Sequence, residues 1–247
     1  AIAAEEGVPV PESQLVHSMD ELKATLARQR FPVVIKPSRS VAELQGDVRT
    51  KLNVQYAYDA GDLLDKCKSI LRYAPVILQE YFRGDGVGVE IAASNGNIIA
   101  AFQHVRLHEL PLTGGASTLR MSVPVSPDLL AHSARLAKRL NWHGVAMLEF
   151  KHDAVSNECR LMEINGRFWG SLPLAVNAGA DFPYYLYQLL VVGDSSMKPP
   201  ARIGHLNRKL KDDLYWFLIV LFRRDKSPLI IWPTYSRLLG DALSMLH

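Results

Sequence analysis

The 247-residue sequence has only two cysteines, no long apolar run and no strong excess of either charge. Cys67 and Cys159 stand far apart and form no Cys-x-x-Cys pair, so neither a disulfide framework nor a zinc site is expected, and a reducing cytoplasm is the predicted location. The longest apolar run, residues 214–222, is shorter than the roughly 20 residues that a membrane-spanning helix needs. The formal net charge of +3, with no long basic run, argues against nucleic-acid binding and is compatible with an anionic small ligand.

Apolar residues make up 48% and charged residues 21% of the sequence, a balance typical of one large globular domain or two small ones. In the first third of the chain, short apolar segments alternate with helical ones, and Ser18 with Glu21 forms a capping box that opens a helix over 19–28. Residues 86–94 and 97–107 alternate apolar and polar side chains around Asn95-Gly96, which is the strongest short-range signal for a β-hairpin.

Beyond this hairpin, the patterns predict a helix, a second hairpin, another helix and a tail. Ser126-Pro127-Asp128 opens the first of these helices, whose buried face is expected to carry Leu130, Ala134, Ala137 and Leu140. The other elements are strands over 143–150 and 158–164, a helix over 182–192, a linker over 194–204 and an aromatic helix with basic flanks. The fold class is therefore α+β, with antiparallel hairpins packed under helices.

The second predicted hairpin brings two acidic side chains together. If its turn centres near Ser156, Glu149 lies directly opposite Glu163, where two carboxylates repel each other in otherwise apolar strands, so we expect a cation between them. Asn165 projects from the same face as Glu163, and two carboxylates with an amide oxygen suit Mg²⁺ or Mn²⁺ held jointly with substrate phosphates. Arg167, two residues further on, places a guanidinium where it can hold a phosphate or acyl-phosphate oxygen. The alternative is a pair of exposed edge-strand glutamates without a ligand.

Four segments carry a resemblance to a known family: Phe-Pro-Val-Val-Ile-Lys-Pro (31–37), Gln-Glu-Tyr-Phe (79–82), Met-Leu-Glu-Phe (147–150) and Met-Glu-Ile-Asn-Gly-Arg (162–167). Together they resemble the successive motifs of the ATP-grasp superfamily, and most closely its biotin carboxylase and carbamoyl phosphate synthetase branch. The resemblance implies an ATP-grasp fold, in which two α+β subdomains with antiparallel sheets grip ATP. It also implies a carboxylate that is phosphorylated to an acyl phosphate, which an amine or another nucleophile then attacks.

The resemblance implies a division of the chain into three parts. Residues 1–82 would form the small subdomain with a remnant of a preceding domain, residues 83–193 the large subdomain with the metal site, and residues 194–247 a linker and a C-terminal helical extension. The chain opens on Ala1 in what reads as the last turn of a helix, and similar proteins carry a nucleotide-binding lysine and an α/β domain upstream. We therefore expect the sequence to be truncated at its N-terminus.

The resemblance also assigns roles residue by residue, with ATP and Mg²⁺ (or Mn²⁺) as the cofactors. Lys36 matches the strand lysine that contacts the adenine and the α-phosphate. The matches to the adenine-recognising hinge are Gln79, Glu80, Tyr81 and Phe82. Glu90 sits where a ribose-binding acid is often found. The matches to the magnesium ligands are Glu149, Glu163 and Asn165, and Arg167 matches the residue that stabilises the transferring phosphoryl group.

A basic segment lies between the hinge and the metal motifs. His104, Arg106 and His108 are expected on one face of a strand at a period of two, which suits either a phosphate or carboxylate ligand or a solvated sheet face. Arg106 is predicted to be functional, because members of this family place a basic residue here to reach the phosphates. The glycines of the nearby Gly84-x-Gly86-x-Gly88 motif are followed by strand rather than helix, so the motif fails as a dinucleotide fingerprint.

Two features depart from the family pattern. The loop between Pro37 and Asn53 is poor in glycine, so either Arg39 or Lys51 replaces backbone amides as a phosphate partner, or the loop closes poorly over the phosphates. In addition, the usual Asn-Pro-Arg reads Asn-Gly-Arg at 165–167. Outside the resemblance, residues 208–226 form an apolar helix with basic flanks, which predicts packing on the body or on a second subunit of a homodimer, or peripheral contact with anionic lipid.

The predicted function is an ATP-dependent ligase that joins a small-molecule carboxylate to an amine. One alternative is an ATP-binding sensor or scaffold without turnover, which the missing upstream lysine and the glycine-poor loop favour. The other is an ATP-grasp carboxylase or phosphotransferase, which differs only in the acceptor.

Overall fold

The computed structural model describes residues 2–39, 41–43, 49–196, 201–225, 227–230 and 232–243. Contacts divide the chain into two compact units, one over Pro9–Arg83 and the other formed by residues 2–8, which include helix α1 (Ile2–Glu5), and the described residues from Gly84 onward. Residues 40 and 44–48 of the expected phosphate loop, and residues 197–200 of the expected linker, lie outside the described ranges.

The first unit is a four-stranded sheet with two helices. Its elements are β1 (Ser13–Val16), α2 (Met19–Thr25), β2 (Val33–Pro37), β3 (Val41–Glu43), β4 (Arg49–Lys51), β5 (Gln55–Ala57), α3 (Ala60–Ile70) and β6 (Val76–Glu80). The sheet order is β1-β6-β2-β5 with every neighbouring pair antiparallel, while β3 and β4 pair separately. Consequently β1 runs parallel to β2 across β6, and β5 runs parallel to β6 across β2, so α2 and α3 are both crossover helices.

The predicted N-terminal cap of α2 is present in this unit. The Ser18 side chain accepts a hydrogen bond from the Glu21 backbone N–H at 3.2 Å, and the Glu21 carboxylate accepts one from the His17 N–H at 2.8 Å, so the predicted capping is confirmed. The core lies between the sheet and its helices and includes Ile35 of β2 and Cys67 of α3. Burial raises the pKa of Cys67 to about 11, as expected of a packed and unreactive thiol.

The second unit is built on one six-stranded antiparallel sheet of order β11-β10-β7-β8-β9-β12. Its strands are β7 (Asp85–Ser94), β8 (Asn97–Leu110), β9 (Ala116–Val123), β10 (Gly144–Asp153), β11 (Glu158–Asn165) and β12 (Leu206–Arg208). The turn between β7 and β8 has positive φ at Asn95 and Gly96 (46° and 83°), so the predicted Asn-Gly hairpin is confirmed. The predicted α+β class with antiparallel sheets is likewise confirmed.

Helix α4 (Pro127–Arg139) packs on β7 and β8, but with a different face from the predicted one. Ser126 caps its N-terminus as predicted. Its buried residues are Leu129, Ser133, Leu136 and Ala137, whereas the predicted Leu140 is 38% exposed. Of the four predicted residues Ala137 is buried, while Leu130 and Ala134 are half-buried, so the predicted face was wrong by a shift toward Ser133. The Ser133 hydroxyl donates to the Leu129 carbonyl at 2.7 Å, which satisfies it inside the helix and allows it to be buried.

An apolar core covers one end of the sheet and gives way to polar residues along the same strands. Helices α5 (Leu172–Ala178) and α6 (Phe182–Tyr187), the latter continued by a π-helical turn (Gln188–Val192), contribute to it. Its sheet residues include Ala92 of β7, Phe102 of β8 and Met147 of β10. Two residues further along these strands, in the direction away from the core, stand Glu90, His104 and Glu149. Since alternate residues of a strand share a face, the sheet face that forms this core continues directly into a polar site.

The C-terminal segment is packed on the body. Helices α7 (Leu210–Leu221) and α8 (Tyr235–Leu243) form a small core of Trp216, Val220 and Leu238, against which Leu110 and Leu112 pack. The outer face of α7 exposes Leu210, Leu214, Leu218 and Leu221. No helix in the described part of the chain is long and apolar enough to cross a membrane. Contact of residues 208–226 with lipid, and a homodimer, stay predictions.

Candidate active site

The hairpin of β10 and β11 places two glutamates side by side, as the sequence predicts. Glu149 and Glu163 are direct cross-strand partners, and a bulge follows immediately between Glu149 and Phe150. The turn closes through Asn157 at φ 57°, close to the predicted centre. Directly opposite residues on neighbouring strands have Cβ atoms about 5 Å apart, so two carboxylates in this position need a cation.

The cation that contacts Glu149 in this structure is the guanidinium of Arg106. Its Nη2 lies 2.6 Å from Glu149 Oε2, while its Nη1 donates to Glu109 Oε1 and to the Gly115 carbonyl, both at 3.1 Å. Burial on its own would lower the pKa of Arg106, but Glu149 and Glu109 outweigh it and hold the pKa above its ordinary value. The guanidinium therefore stays charged beside one of the predicted metal ligands.

The other residues of this motif are more open. Glu163 is exposed, and within the described ranges it has no ion pair. Asn165 is 9% exposed and lies two residues beyond Glu163 on β11, opposite Met147. Arg167 is exposed and donates to the Phe168 carbonyl at 2.9 Å, so the structure does not bring it to the two carboxylates.

This donor set fits a magnesium ion of the kind that is completed by substrate. Within the described ranges, no three His, Cys, Asp or Glu side chains converge into a metal cage. Mg²⁺ in phosphoryl-transfer sites is held through one or two carboxylates plus the substrate phosphates, and Glu149 with Glu163 supplies that number of carboxylates. The Asn165 amide is a further hard oxygen donor on the same strand.

Glu90, assigned to the ribose by resemblance, is enclosed in a buried pair. Its side chain is fully buried, its Oε1 lies 2.7 Å from His104 Nδ1, and it accepts from the Ser171 hydroxyl at 3.3 Å. Glu90 Oε2 and His104 Nε2 are buried without a partner in the described part of the molecule. The placement of Glu90 at a ribose stays a prediction, and in this conformation the carboxylate is not open to a ligand.

The basic ladder of β8 is interrupted. A register shift between Arg106 and His108 breaks the period of two, and each of the three side chains meets its own acid. His108 is fully buried, with Nδ1 2.8 Å from Asp213 Oδ1 and Nε2 3.0 Å from Asp241 Oδ2, and its ring stacks on Trp216 at 3.5 Å. The three do not form one phosphate-binding row.

Asp213 and Arg120 are buried charged residues that the sequence analysis missed. Asp213 is fully buried and accepts from Thr118 Oγ1 at 2.7 Å, with Arg208 as a further partner. Arg120 is 2% exposed and donates from Nη2 to Asn207 Oδ1 at 2.7 Å, and burial lowers its pKa, an effect that Glu90 partly offsets.

The residues assigned to adenine lie in the first unit. Lys36 is the fourth residue of β2 and pairs with Ile77, and Gln79 and Glu80 end β6. Gln79 Nε2 donates to Ser13 Oγ at 2.9 Å, while its Oε1 is buried and has no partner in the described ranges. Glu80 accepts from the Glu12 N–H at 3.3 Å.

Tyr81 and Phe82 follow β6 in an irregular segment that ends at the boundary between the units. Burial raises the pKa of Tyr81, which stands edge-on to Tyr56 at 6.1 Å. The structure places Lys36, Gln79 and Glu80 on the neighbouring strands β2 and β6, and their assignment to the nucleotide stays a prediction.

Comparison with known proteins agrees with these observations. A family model described as "ATP-grasp in the biosynthetic pathway with Ter operon" matches residues 72–210. The cyanophycin synthetase of Geminocystis herdmanii is 28% identical over 120 residues, which are 47% of this chain and 12% of that protein.

Two solved structures share the fold. The N5-carboxyaminoimidazole ribonucleotide synthetase of Thermus thermophilus has a TM-score of 0.61 at 18% identity and covers 82% of this chain and 52% of its own. The biotin carboxylase domain of the 2-oxoglutarate carboxylase of Hydrogenobacter thermophilus, bound to MgADP and bicarbonate, has a TM-score of 0.62 at 13% identity and covers 83% of this chain and 47% of its own. The chain thus spans about half the length of these solved proteins.

Proposed function

The chain belongs to the ATP-grasp family, and we propose that it forms part of an ATP- and magnesium-dependent ligase that activates a carboxylate as an acyl phosphate for attack by an amine. The observation that carries the proposal is the pairing of Glu149 with Glu163, followed on the same strand by Asn165. Two carboxylates directly opposite each other repel, and a cation held between them would remove that repulsion. The similarity to a cyanophycin synthetase supports the ligase class.

Phosphoryl transfer requires positioning and charge neutralisation more than covalent chemistry. A bound Mg²⁺ supplies Lewis-acid neutralisation of the phosphate oxygens, and Glu149, Glu163 and Asn165 would hold it. Arg106, already charged beside Glu149, is suited to bind the transferring phosphoryl or the acyl-phosphate oxygen. Arg167 is exposed and would turn from the Phe168 carbonyl to take part.

The nucleotide would be recognised by residues of the first unit. Lys36 on β2 provides a charge for the α-phosphate, and residues 79–82 at the end of β6 provide polar groups for adenine. The partnerless Oε1 of Gln79 can accept a hydrogen bond from an exocyclic amine. The substrates are small molecules in this proposal, and Mn²⁺ is the alternative ion.

Calorimetry tests the metal site. ATP is titrated into the protein with and without Mg²⁺, and the titration is repeated with the Glu149→Gln/Glu163→Gln double variant. The matched control is Glu158→Gln/Asp128→Asn, which removes two exposed carboxylates from the same unit. Magnesium-dependent binding that the control keeps and the double variant loses supports the proposal, whereas equal binding by both variants contradicts the metal assignment.

Turnover separates the ligase from its alternatives. ADP release is followed while carboxylic acids and amines are screened in pairs. Release that needs both an acid and an amine supports a ligase, and release with bicarbonate or with a hydroxyl acceptor indicates a carboxylase or a phosphotransferase. Tight binding without turnover under all these conditions would favour a nucleotide sensor.

A further inference from the structure

Two glycines of the Gly84-x-Gly86-x-Gly88 motif, which fails as a dinucleotide fingerprint, stand where basic side chains of the next strand cross. In the sheet, Gly88 of β7 pairs with His104 of β8 on one side and with Glu149 of β10 on the other. Gly86 stands one step along the same face and pairs with Lys151 of β10. At both glycines, β7 therefore runs without a side chain between β8 and β10.

A side chain at either position would occupy space that β8 uses. A Cβ atom on Gly88 would lie 2.3 Å from His104 Cε1 and 2.8 Å from its Nδ1. One on Gly86 would lie 2.6 Å from Arg106 Cδ and 2.9 Å from Glu109 Oε1. These distances are far below van der Waals contact, so His104 and Arg106 lie directly across the backbone of β7.

We propose that Gly86 and Gly88 form a side-chain-free track on β7, which lets Arg106 cross to Glu149 of β10 and lets the His104 ring lie beside Glu90. Arg106 crosses the track and contacts Glu149 of β10 at 2.6 Å, whereas His104 lies over Gly88 and contacts Glu90 of β7 itself at 2.7 Å. The two glycines are thus positioning residues, because they act through Arg106 and His104. The expected effect of the glycines on nucleotide binding rests on the proposed function. Their steric relation to His104 and Arg106 does not.

The close approach predicts that replacing a glycine and removing the side chain that lies over it have non-additive effects on stability. Gly88→Ala in the wild-type background should lower the thermal midpoint by about 2 to 12 °C, because the new Cβ forces the buried His104 ring to shift. In a His104→Ala background, the same substitution should cost nothing further. His132 of α4 gives the matched control: in a His132→Ala background the penalty should persist in full. Gly240→Ala controls for glycine replacement itself, since nothing lies within 4 Å of a Cβ there.

A second arm guards against a His104 variant that does not fold, because that variant leaves buried Glu90 without its base. The side chain of Arg106 is partly solvated, so Arg106→Ala serves as the second background. The thermal midpoints of Gly86→Ala, Arg106→Ala and the double variant are compared with that of the wild type. In the wild-type background, Gly86→Ala should also weaken magnesium-dependent ATP binding about tenfold, because it displaces the guanidinium of Arg106, which is proposed to bind the transferring phosphoryl group. In the Arg106→Ala background it should change neither the midpoint nor the affinity.

The outcomes separate the inference from the proposed function. Full penalties that persist in both the His104→Ala and Arg106→Ala backgrounds would overturn the track. If the wild-type protein binds no ATP but the midpoints show coupling, the track stands and the proposed function fails. If magnesium-dependent ATP binding is retained while Gly86→Ala binds with unchanged affinity, Gly86 is not a positioning residue for that site.

Discussion

The buried carboxylate of Asp213 is expected to hold the C-terminal helices on the body. It lies 2.8 Å from His108 Nδ1 and accepts from Thr118 Oγ1 at 2.7 Å, and Arg208 is its third partner. Replacing it by asparagine keeps the shape but removes the negative charge that these two basic groups share. Removing one partner of a buried ion pair costs about 3–5 kcal/mol, so Asp213→Asn should lower the unfolding midpoint by about 6 to 20 °C.

The pH dependence has a defined sign. Burial raises the pKa of Asp213, but the hydrogen bonds from His108 and Thr118, with the charge of Arg208, outweigh it and hold the pKa below its ordinary value of 3.8. A carboxylate with a lowered folded-state pKa contributes stability that is present above the unfolded value and lost as pH falls through the folded value. The difference between wild type and Asp213→Asn should therefore be full at pH 7 and shrink only below about pH 4.

Thermal unfolding of both proteins between pH 7 and pH 3 is the assay, with hydrogen exchange of the α7 amides to locate the effect. Asp212→Asn is the control, because Asp212 precedes Asp213 in the first turn of the same helix but is exposed. Its loss should stay within about 1 kcal/mol, the range of a charge at a helix N-terminus. An Asp213→Asn loss no larger than that of the control, or one that does not shrink in acid, would refute the reasoning.

Three further outcomes follow from packing. Gly166→Ala should destabilise the protein by about 1–3 kcal/mol in chemical denaturation, because its Cβ would lie 2.6 Å from Trp142 Cη2, and Trp142→Leu should remove that penalty; an additive double variant contradicts this. A thiol reagent at pH 8 should modify Cys159 of the native protein, whereas Cys67, with its pKa raised to about 11 by burial, should react only on unfolding. Modification of both thiols in the native protein would contradict this prediction. Gly240→Ala in α8 should raise stability by about 0.5–1 kcal/mol in the same denaturation assay, since its Cβ meets nothing within 4 Å, and a loss would show strain there.

The pairing of the two glutamates could be predicted because its determinants are local. The strands on either side of the turn near Ser156 are joined by only four residues, and alternation then fixes which residues face each other. The Asn95-Gly96 turn and the Ser18 cap were predictable for the same reason. Each depends on residues within a few positions of one another, whose conformational preferences no distant contact overrides.

The environment of the basic strand could not be predicted in this way. His108 meets Asp213 across 105 sequence positions and Asp241 across 133, and no periodicity in β8 encodes either partner. The register shift after Arg106 also breaks the strict alternation on which the predicted ladder rests. Similarly, the buried face of α4 includes Ser133, a residue that a hydrophobicity scale assigns to the surface. Its burial depends on an acceptor for its hydroxyl within the same helix.

The acidic partners distinguish His104, Arg106 and His108, which have the same spacing in the sequence. His104 and His108 are fully buried, and each contacts acids that are not among the predicted metal ligands, so both have their partners within the fold. Arg106 alone pairs with Glu149, and it keeps a partly solvated side chain. A buried basic residue whose acid lies outside the predicted metal site contributes to stability, whereas the acid that contacts Arg106 is itself a predicted metal ligand. The contacts therefore favour a structural role for the two histidines, for which both readings were open, whereas the predicted role of Arg106 at the phosphates stays a prediction.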